Sequence, residues 1–266
     1  MKNKFKYLLN LIKTLIWPVV FTIGYSFVNF IFVCIFNNSE KGTMDNNEFL
    51  KYIKTDYYKT KLNNYITNNS IFIILIVLII LFPIFYKILK KYKKENNFKV
   101  KNIFFPIVLG VSISLIYNIT IYNLNNIFNF TNAYKPSNIP LMIQLVCSGI
   151  LGPVIEEILF RGIVYNKLKS FNKPMTSIIL CSLIFSLMHS NIIDMVYAFG
   201  VSFMFIYLYE KYKTLKAPII MHMSLNITII LMLKLITYNF LIFNSYLVII
   251  SIISLLLCRF YIKKDV

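Results

Sequence analysis

Gly152-Pro153-Val154-Ile155-Glu156-Glu157-Ile158-Leu159-Phe160-Arg161 sets two carboxylates and a guanidinium inside an apolar segment that runs from Leu141 to about Leu168. That segment is long enough to cross a bilayer. On insertion scales each such charge at mid-membrane costs about 2.5–3.5 kcal/mol, so the three together cost roughly 8–10 kcal/mol. The protein itself must compensate them, and helical spacing indicates how. Glu157 and Arg161 stand four apart with the acid first, the favoured order for an ion pair on one helix face. Glu156 is turned about 100° away from Glu157 and has Phe160, not a cation, four residues on. The spacing predicts a structural pair, Glu157 with Arg161, and one carboxylate, Glu156, facing elsewhere.

Working outward, the composition agrees with a membrane setting. The chain has 266 residues, is 58% hydrophobic and contains repeated apolar runs near twenty residues; its mean hydropathy is +0.68. These values predict an all-α polytopic bundle and make a soluble globular domain a poor alternative. The net charge of +18 would suggest nucleic acid in a soluble protein. Here the lysines cluster in short connections between apolar runs, where they set topology and meet anionic lipid headgroups, so no nucleic-acid partner is expected. Cys34, Cys147, Cys181 and Cys258 all lie within apolar runs without paired spacing, so neither a disulfide framework nor a thiolate zinc site is indicated.

Eight spans are expected. The first runs through Phe36, too long for the apolar region of a cleaved secretion signal, and the others cover about 71–89, 103–122, 141–168, 175–190, 193–209, 218–236 and 240–258. The connection from Lys87 to Lys101 holds seven lysines, and those around Lys167 to Lys173 and Lys211 to Lys216 hold three each. These belong on the cytoplasmic side, which places both termini there as well. Residues 37–70 form an external polar segment, in which Leu50, Ile53, Tyr57, Leu62 and Ile66 recur at roughly helical spacing; an amphipathic surface helix or a loop would account for it. The expected organisation is a two-span N-terminal region, residues 1–102, followed by a second region, residues 103–266, with its core at 103–236.

The chain has only two histidines, and both fall within expected spans. Phe185 precedes His189 by four residues, and Asn226 follows His222 by four, so His222 and Asn226 share a helix face. One buried histidine is more often a hydrogen-bonded core residue. Two of them, with a glutamate pair in a third span, point to a functional site: a proton relay, an ion path or a catalytic centre. Glu156, His189 and His222 also satisfy the ligand count of a catalytic zinc site, three protein donors and an open position. No His-Glu-x-x-His segment is present, so the common zinc-peptidase helix is absent.

The order EExxxR, FxxxH, HxxxN, each on its own span, resembles the CPBP intramembrane proteases, the group of CAAX-processing endopeptidases and bacteriocin-processing or self-immunity proteins also called the Abi family. The three motifs read Glu156 to Arg161, Phe185 to His189 and His222 to Asn226, and the resemblance covers roughly Gly152 to Asn226. It implies hydrolysis of a peptide bond in a membrane-associated peptide or small membrane protein. Glu156 and His189 would activate water, while His222 and Asn226 would stabilise the oxyanion. Glu157, Arg161 and Phe185 would support the site. Family members are often called metalloproteases, and Glu156, His189 and His222 fit both a zinc-dependent and a metal-free scheme.

Two readings compete with a peptidase: a non-catalytic bacteriocin-immunity protein that keeps the fold, and a transporter using Glu156 and the histidines as a relay. Transporters more often show paired halves with broken helices, and no such pairing is visible. The Asn-, Lys- and Ile-rich composition suggests an AT-rich genome and hence a bacterial plasma membrane. Counting depth along straight helices at about 1.5 Å per residue puts His222 roughly 8 Å, Glu156 roughly 15 Å and His189 roughly 20 Å from the cytoplasmic ends. Convergence of the three therefore requires different tilts or helix starts.

Overall fold

A computed structural model describes residues 2–92, 96–128 and 139–235, and the described chain contains helices and turns but no strand. Eight helices follow in order: α1 Lys2–Lys41, α2 Asn46–Tyr52, α3 Asp56–Lys91, α4 Phe104–Phe128, α5 Leu141–Lys169, α6 Pro174–Ser186, α7 Ile192–Tyr212 and α8 Lys216–Leu235. All but α2 and α6 are long and apolar enough to cross a membrane. The protein is a multi-pass membrane protein built as an all-α bundle. The expected eighth span, 240–258, and Cys258 lie outside the described residues.

Two expectations change. The segment 37–70 is mostly the ends of two long helices, since α1 runs on to Lys41 and α3 begins at Asp56, and the one separate helix in it is the seven-residue α2. Its polar sequence stays helical because the two long helices cap and bind one another beyond their apolar parts. Asp45 caps α2 through a reciprocal arrangement with Glu48, and the Thr55 hydroxyl accepts from the Tyr58 amide to start α3. Phe36 packs on Tyr65 at 5.0 Å between ring centroids, the Tyr52 hydroxyl donates to Glu40, and Lys61 meets Glu40 at 2.8 Å. The second change concerns the fifth span, expected over 175–190. Its helix ends at Ser186 after 13 residues, about 20 Å of rise, and His189 follows it in a turn.

The long helices are arranged around α5. Its second half is enclosed on all sides, with Leu159, Phe160, Ile163, Val164, Tyr165 and Leu168 buried. α1, α3, α6, α7 and α8 all pack against α5, and α8 lies along α4. The hairpin of α1 and α3 shares this apolar core through Val28, Ile73, Val77 and Leu81. Its outer side faces lipid, since Ile23, Phe27 and Phe30 are each 62% exposed.

α4 and α8 approach most closely at Gly110. A β-carbon there would stand 2.2 Å from the Ser224 hydroxyl oxygen and 2.4 Å from the Met221 carbonyl oxygen. Small residues permit such contacts between membrane helices. Gly110→Ala is expected to push α4 off α8 and destabilise the protein by about 1–3 kcal/mol, read as a lower melting temperature in detergent.

The lysine alternation predicts the side on which each turn lies. In a cysteine-free background, a cysteine at Asn47 should react with an impermeant thiol reagent in intact cells and one at Asn172 should not. The reverse labelling would invert the orientation.

Candidate active site

The winding of α5 sets the site. Residues 145–151 and 158–165 form π-helical turns on either side of α-helical Gly152–Glu157. In the first, the Gly152 amide bonds the Cys147 carbonyl, five residues back. The next donor along should serve the Ser148 carbonyl, but that position is Pro153, which has no N–H. The orphaned carbonyl is taken by Asn226, whose side-chain Nδ2 donates to Ser148 O at 2.8 Å. A proline in one helix thus anchors the asparagine of another.

One turn on, Glu157 and Arg161 meet at 2.8 Å with both side chains fully buried. The guanidinium also donates to the Ser202 hydroxyl at 2.7 Å and lies between the rings of Phe185 and Phe205, 4.5 and 4.7 Å from their centroids. Such stacking suits a planar, weakly hydrated cation. The oxygen of Glu157 that accepts from Arg161 also contacts His222 Nδ1 at 2.9 Å. An ionised carboxylate only accepts, so Nδ1 carries the proton and Nε2 points onward. It points toward Glu156, with 3.7 Å between His222 Nε2 and Glu156 Oε2. Phe205 stacks on the imidazole at 4.5 Å and fixes its plane.

The two glutamates therefore separate as their spacing predicts. The Glu157 side chain is 0% exposed and that of Glu156 is 38% exposed. Glu156 opens on a cavity of about 410 Å³ together with Tyr25, Thr67, Ser70, Cys147 and Asn226. His189 lies across the site and lines a second cavity, of about 320 Å³, with Phe185, His222 and Asn226. Its Nδ1 is 3.3 Å from the Phe185 carbonyl, which can only accept, leaving Nε2 without that proton. Ser148 and Asn226 line both cavities and form the wall between them.

Glu156, Glu157, His222 and Asn226 thus come together, with His189 facing the same wall from the other cavity. The depths converge because α6 ends early and because α5 does not follow a uniform α-helical rise. Among the described residues no three His, Cys, Asp or Glu side chains are grouped to hold a metal ion, and both ring nitrogens of His222 face carboxylates. Sequence reasoning missed Ser202 and Phe205, which belong to no motif. It also passed over Asp194, an acid within an apolar run that lines the His189 cavity.

Residues 138–228 match the family described as Type II CAAX prenyl endopeptidase Rce1-like. The Bacillus subtilis (strain 168) protein named "Putative membrane peptidase YdiL" is 31% identical over 94 residues, which are 35% of this chain and 38% of that protein. The chain therefore matches well under half the length of this relative. No solved structure matches the chain significantly. The matched segment takes in α5 to α7 and most of α8, and leaves out α1 to α4, which nonetheless contribute Tyr25, Thr67, Ser70, Tyr117 and Asn118 to the two cavities.

The geometry predicts different failures for the two glutamates of this site. Glu157→Gln leaves Arg161 and His222 without their shared carboxylate and should cost about 3–5 kcal/mol, seen as lower melting temperature and membrane abundance. Glu156→Gln should leave both unchanged. Arg161→Lys should be milder than Glu157→Gln, because the charge survives while the planar bonding to Glu157 and Ser202 is lost.

Proposed function

We propose that this chain is an intramembrane endopeptidase that hydrolyses a peptide bond of a membrane-associated peptide or protein. One observation carries the reading: an open carboxylate, Glu156, lies beside a histidine held by a second, buried carboxylate, with Asn226 and His189 on the adjoining walls. Among the described residues no side chain or amide donates a hydrogen bond to the Glu156 carboxylate, which leaves it open to water. The scissile carbonyl would sit where the two cavities adjoin at Asn226.

Water gives its proton to Glu156, with His189 Nε2 as a second acceptor that orients it, and the hydroxide adds to the carbonyl carbon. The carbonyl π electrons become the oxyanion. Asn226 has one N–H committed to Ser148 and a second left for that oxyanion. His222, as an imidazolium, supplies a further donor through Nε2, its Nδ1 proton being held by Glu157. Collapse breaks the carbon–nitrogen bond, and the proton on Glu156 passes to the departing amine. Surrounding apolar residues limit water, which strengthens each of these interactions. CAAX-type processing is the coarse class that the family match supports; the substrate would reach the site from within or along the membrane.

Purified protein in lipid nanodiscs should cleave members of a quenched fluorescent peptide library. Glu156→Gln and His189→Gln should each lose about 10²–10⁴ in kcat, and Asn226→Ala about 10²–10³. A folded wild-type protein that cleaves nothing would leave binding, as in an immunity protein, as the function. Metal content measured on the same sample separates the two chemical schemes. About one zinc per chain, with activity lost to a chelator and restored by zinc, would assign Glu156, His189 and His222 as ligands, whereas full activity in metal-free protein leaves them as the acid and base groups described.

A further inference from the structure

The cavity that His189 lines does not end at the catalytic groups. It continues between α4 and α7 to Tyr117, Asn118, Asp194 and Tyr197, past apolar side chains such as Ile121 and Leu225. Asp194 is oriented from two sides: the Tyr117 hydroxyl donates to one carboxylate oxygen and the Asn191 amide to the other. Among the described residues it has no ion-pair partner.

Asp194 also lies in the first turn of α7, where a carboxylate is favoured. That explains why an acid is tolerated there. It does not explain why α4 reaches across with Tyr117, or why a second acceptor beside it is unmet. Asn118 is only 3% exposed, its amide nitrogen donates to the Ser114 carbonyl at 2.8 Å, and its side-chain oxygen has no donor. A buried acceptor left unmet is destabilising, and a ligand bearing hydrogen-bond donors would relieve that. The rings of Tyr117 and Tyr197, tilted by 36° with centroids 4.0 Å apart, line the same wall, and aromatic rings attract cations.

We propose that Asp194, Asn118 and the Tyr117–Tyr197 pair form a subsite for a cationic side chain, lysine or arginine, on the peptide that the catalytic groups act on. The inference rests on the peptidase reading for the identity of its ligand. A carboxylate in a largely apolar cavity selects an opposite charge with donors, and the uncommitted oxygen of Asn118 adds an acceptor for a second N–H. Aliphatic parts of the same side chain would lie along Ile121 and Leu225. The field of the whole chain, at +18, opposes a cationic ligand, so any preference for one must arise locally.

The test uses full-length protein in zwitterionic nanodiscs and labelled alanine–leucine peptides that differ at one scanned position, lysine or the uncharged norleucine. Binding is measured on the Glu156→Gln protein and cleavage on the otherwise wild-type one. At one position lysine should improve the dissociation constant by about tenfold over norleucine, the scale of one charge-assisted hydrogen bond. Asp194→Asn should abolish that preference, and Asp194→Lys should transfer it to glutamate at the same position, an inversion that a helix-capping role alone would not produce. If Asp194→Asn lowers the melting temperature enough to obscure binding, Tyr117→Phe, which releases one carboxylate oxygen, should still weaken the lysine preference. Equal binding of lysine and norleucine at every position, or a preference unchanged in Asp194→Asn, overturns the subsite. Lysine-selective binding without any cleavage by wild-type protein keeps the subsite and removes the peptidase reading, whereas cleavage without charge preference does the opposite.

Discussion

A single buried oxygen, Oε1 of Glu157, accepts from both Arg161 and His222, and three helices depend on it. It ties α5 to α8 directly and, through Arg161 and Ser202, to α7. Paired charges in an apolar interior gain most when both carboxylate oxygens engage the guanidinium fork. That does not happen here. Among the described residues Glu157 Oε2 and Arg161 Nε are buried without partners, since the carboxylate is turned so that His222 shares the oxygen nearest Arg161. The arrangement sacrifices part of the ion pair's own strength to fix the orientation and the proton position of an imidazole. Such a trade is expected of a functional site and not of a pair that serves stability alone.

The same helix meets a second requirement through its winding. In a uniform α-helix from Leu141 to Lys169 the carbonyl that Pro153 leaves open would be that of Gly149, four residues back, and not that of Ser148. The π turn ending at Gly152, followed by Pro153, leaves the Ser148 carbonyl open, and Asn226 closes it. His222 and Asn226, one turn apart on α8, are therefore each held by α5, one by a side chain and the other by the backbone. α4 presses on this stretch of α8 at Gly110, against Met221 and Ser224, which lie beside His222 and between the two held residues.

What the sequence made legible was local. Glu157 with Arg161, and His222 with Asn226, are four apart on one helix, so their shared faces follow from the helical repeat, and the open position of Glu156 follows from Phe160 standing where a cation would be. The lysine-spaced apolar runs likewise mark seven of the helices described here. What failed was anything that assumed an unbroken α-helix. The depths assigned to His189 and Glu156 presumed uniform rise, whereas α6 stops at Ser186 and α5 contains two π turns. The segment 37–70 reads as polar because its helices are paired with each other and not with lipid. Ser202 and Phe205 carry no signal at all in one sequence, since a serine and a phenylalanine in an apolar span are ordinary until Arg161 and His222 are seen against them. Asp194 did carry a signal, an acid in an apolar run, but no partner at helical spacing drew attention to it.

The matched core and the rest of the chain also divide the site unequally. Every residue that touches the Glu157 network lies between 138 and 228, within the matched segment. The walls of the two cavities lie only partly within it. Glu156 is approached past Tyr25 of α1 and Thr67 and Ser70 of α3, and the His189 cavity past Tyr117 and Asn118 of α4. The shared network constrains the matched segment tightly, because changing one buried charge strands the others. Two of these wall residues are themselves tied to the matched segment: Tyr117 donates to Asp194, and the Ser70 hydroxyl meets Cys147. On the peptidase reading, the remaining wall positions of α1, α3 and α4 are where this protein can differ in what it admits without disturbing how Glu156 and His222 are held.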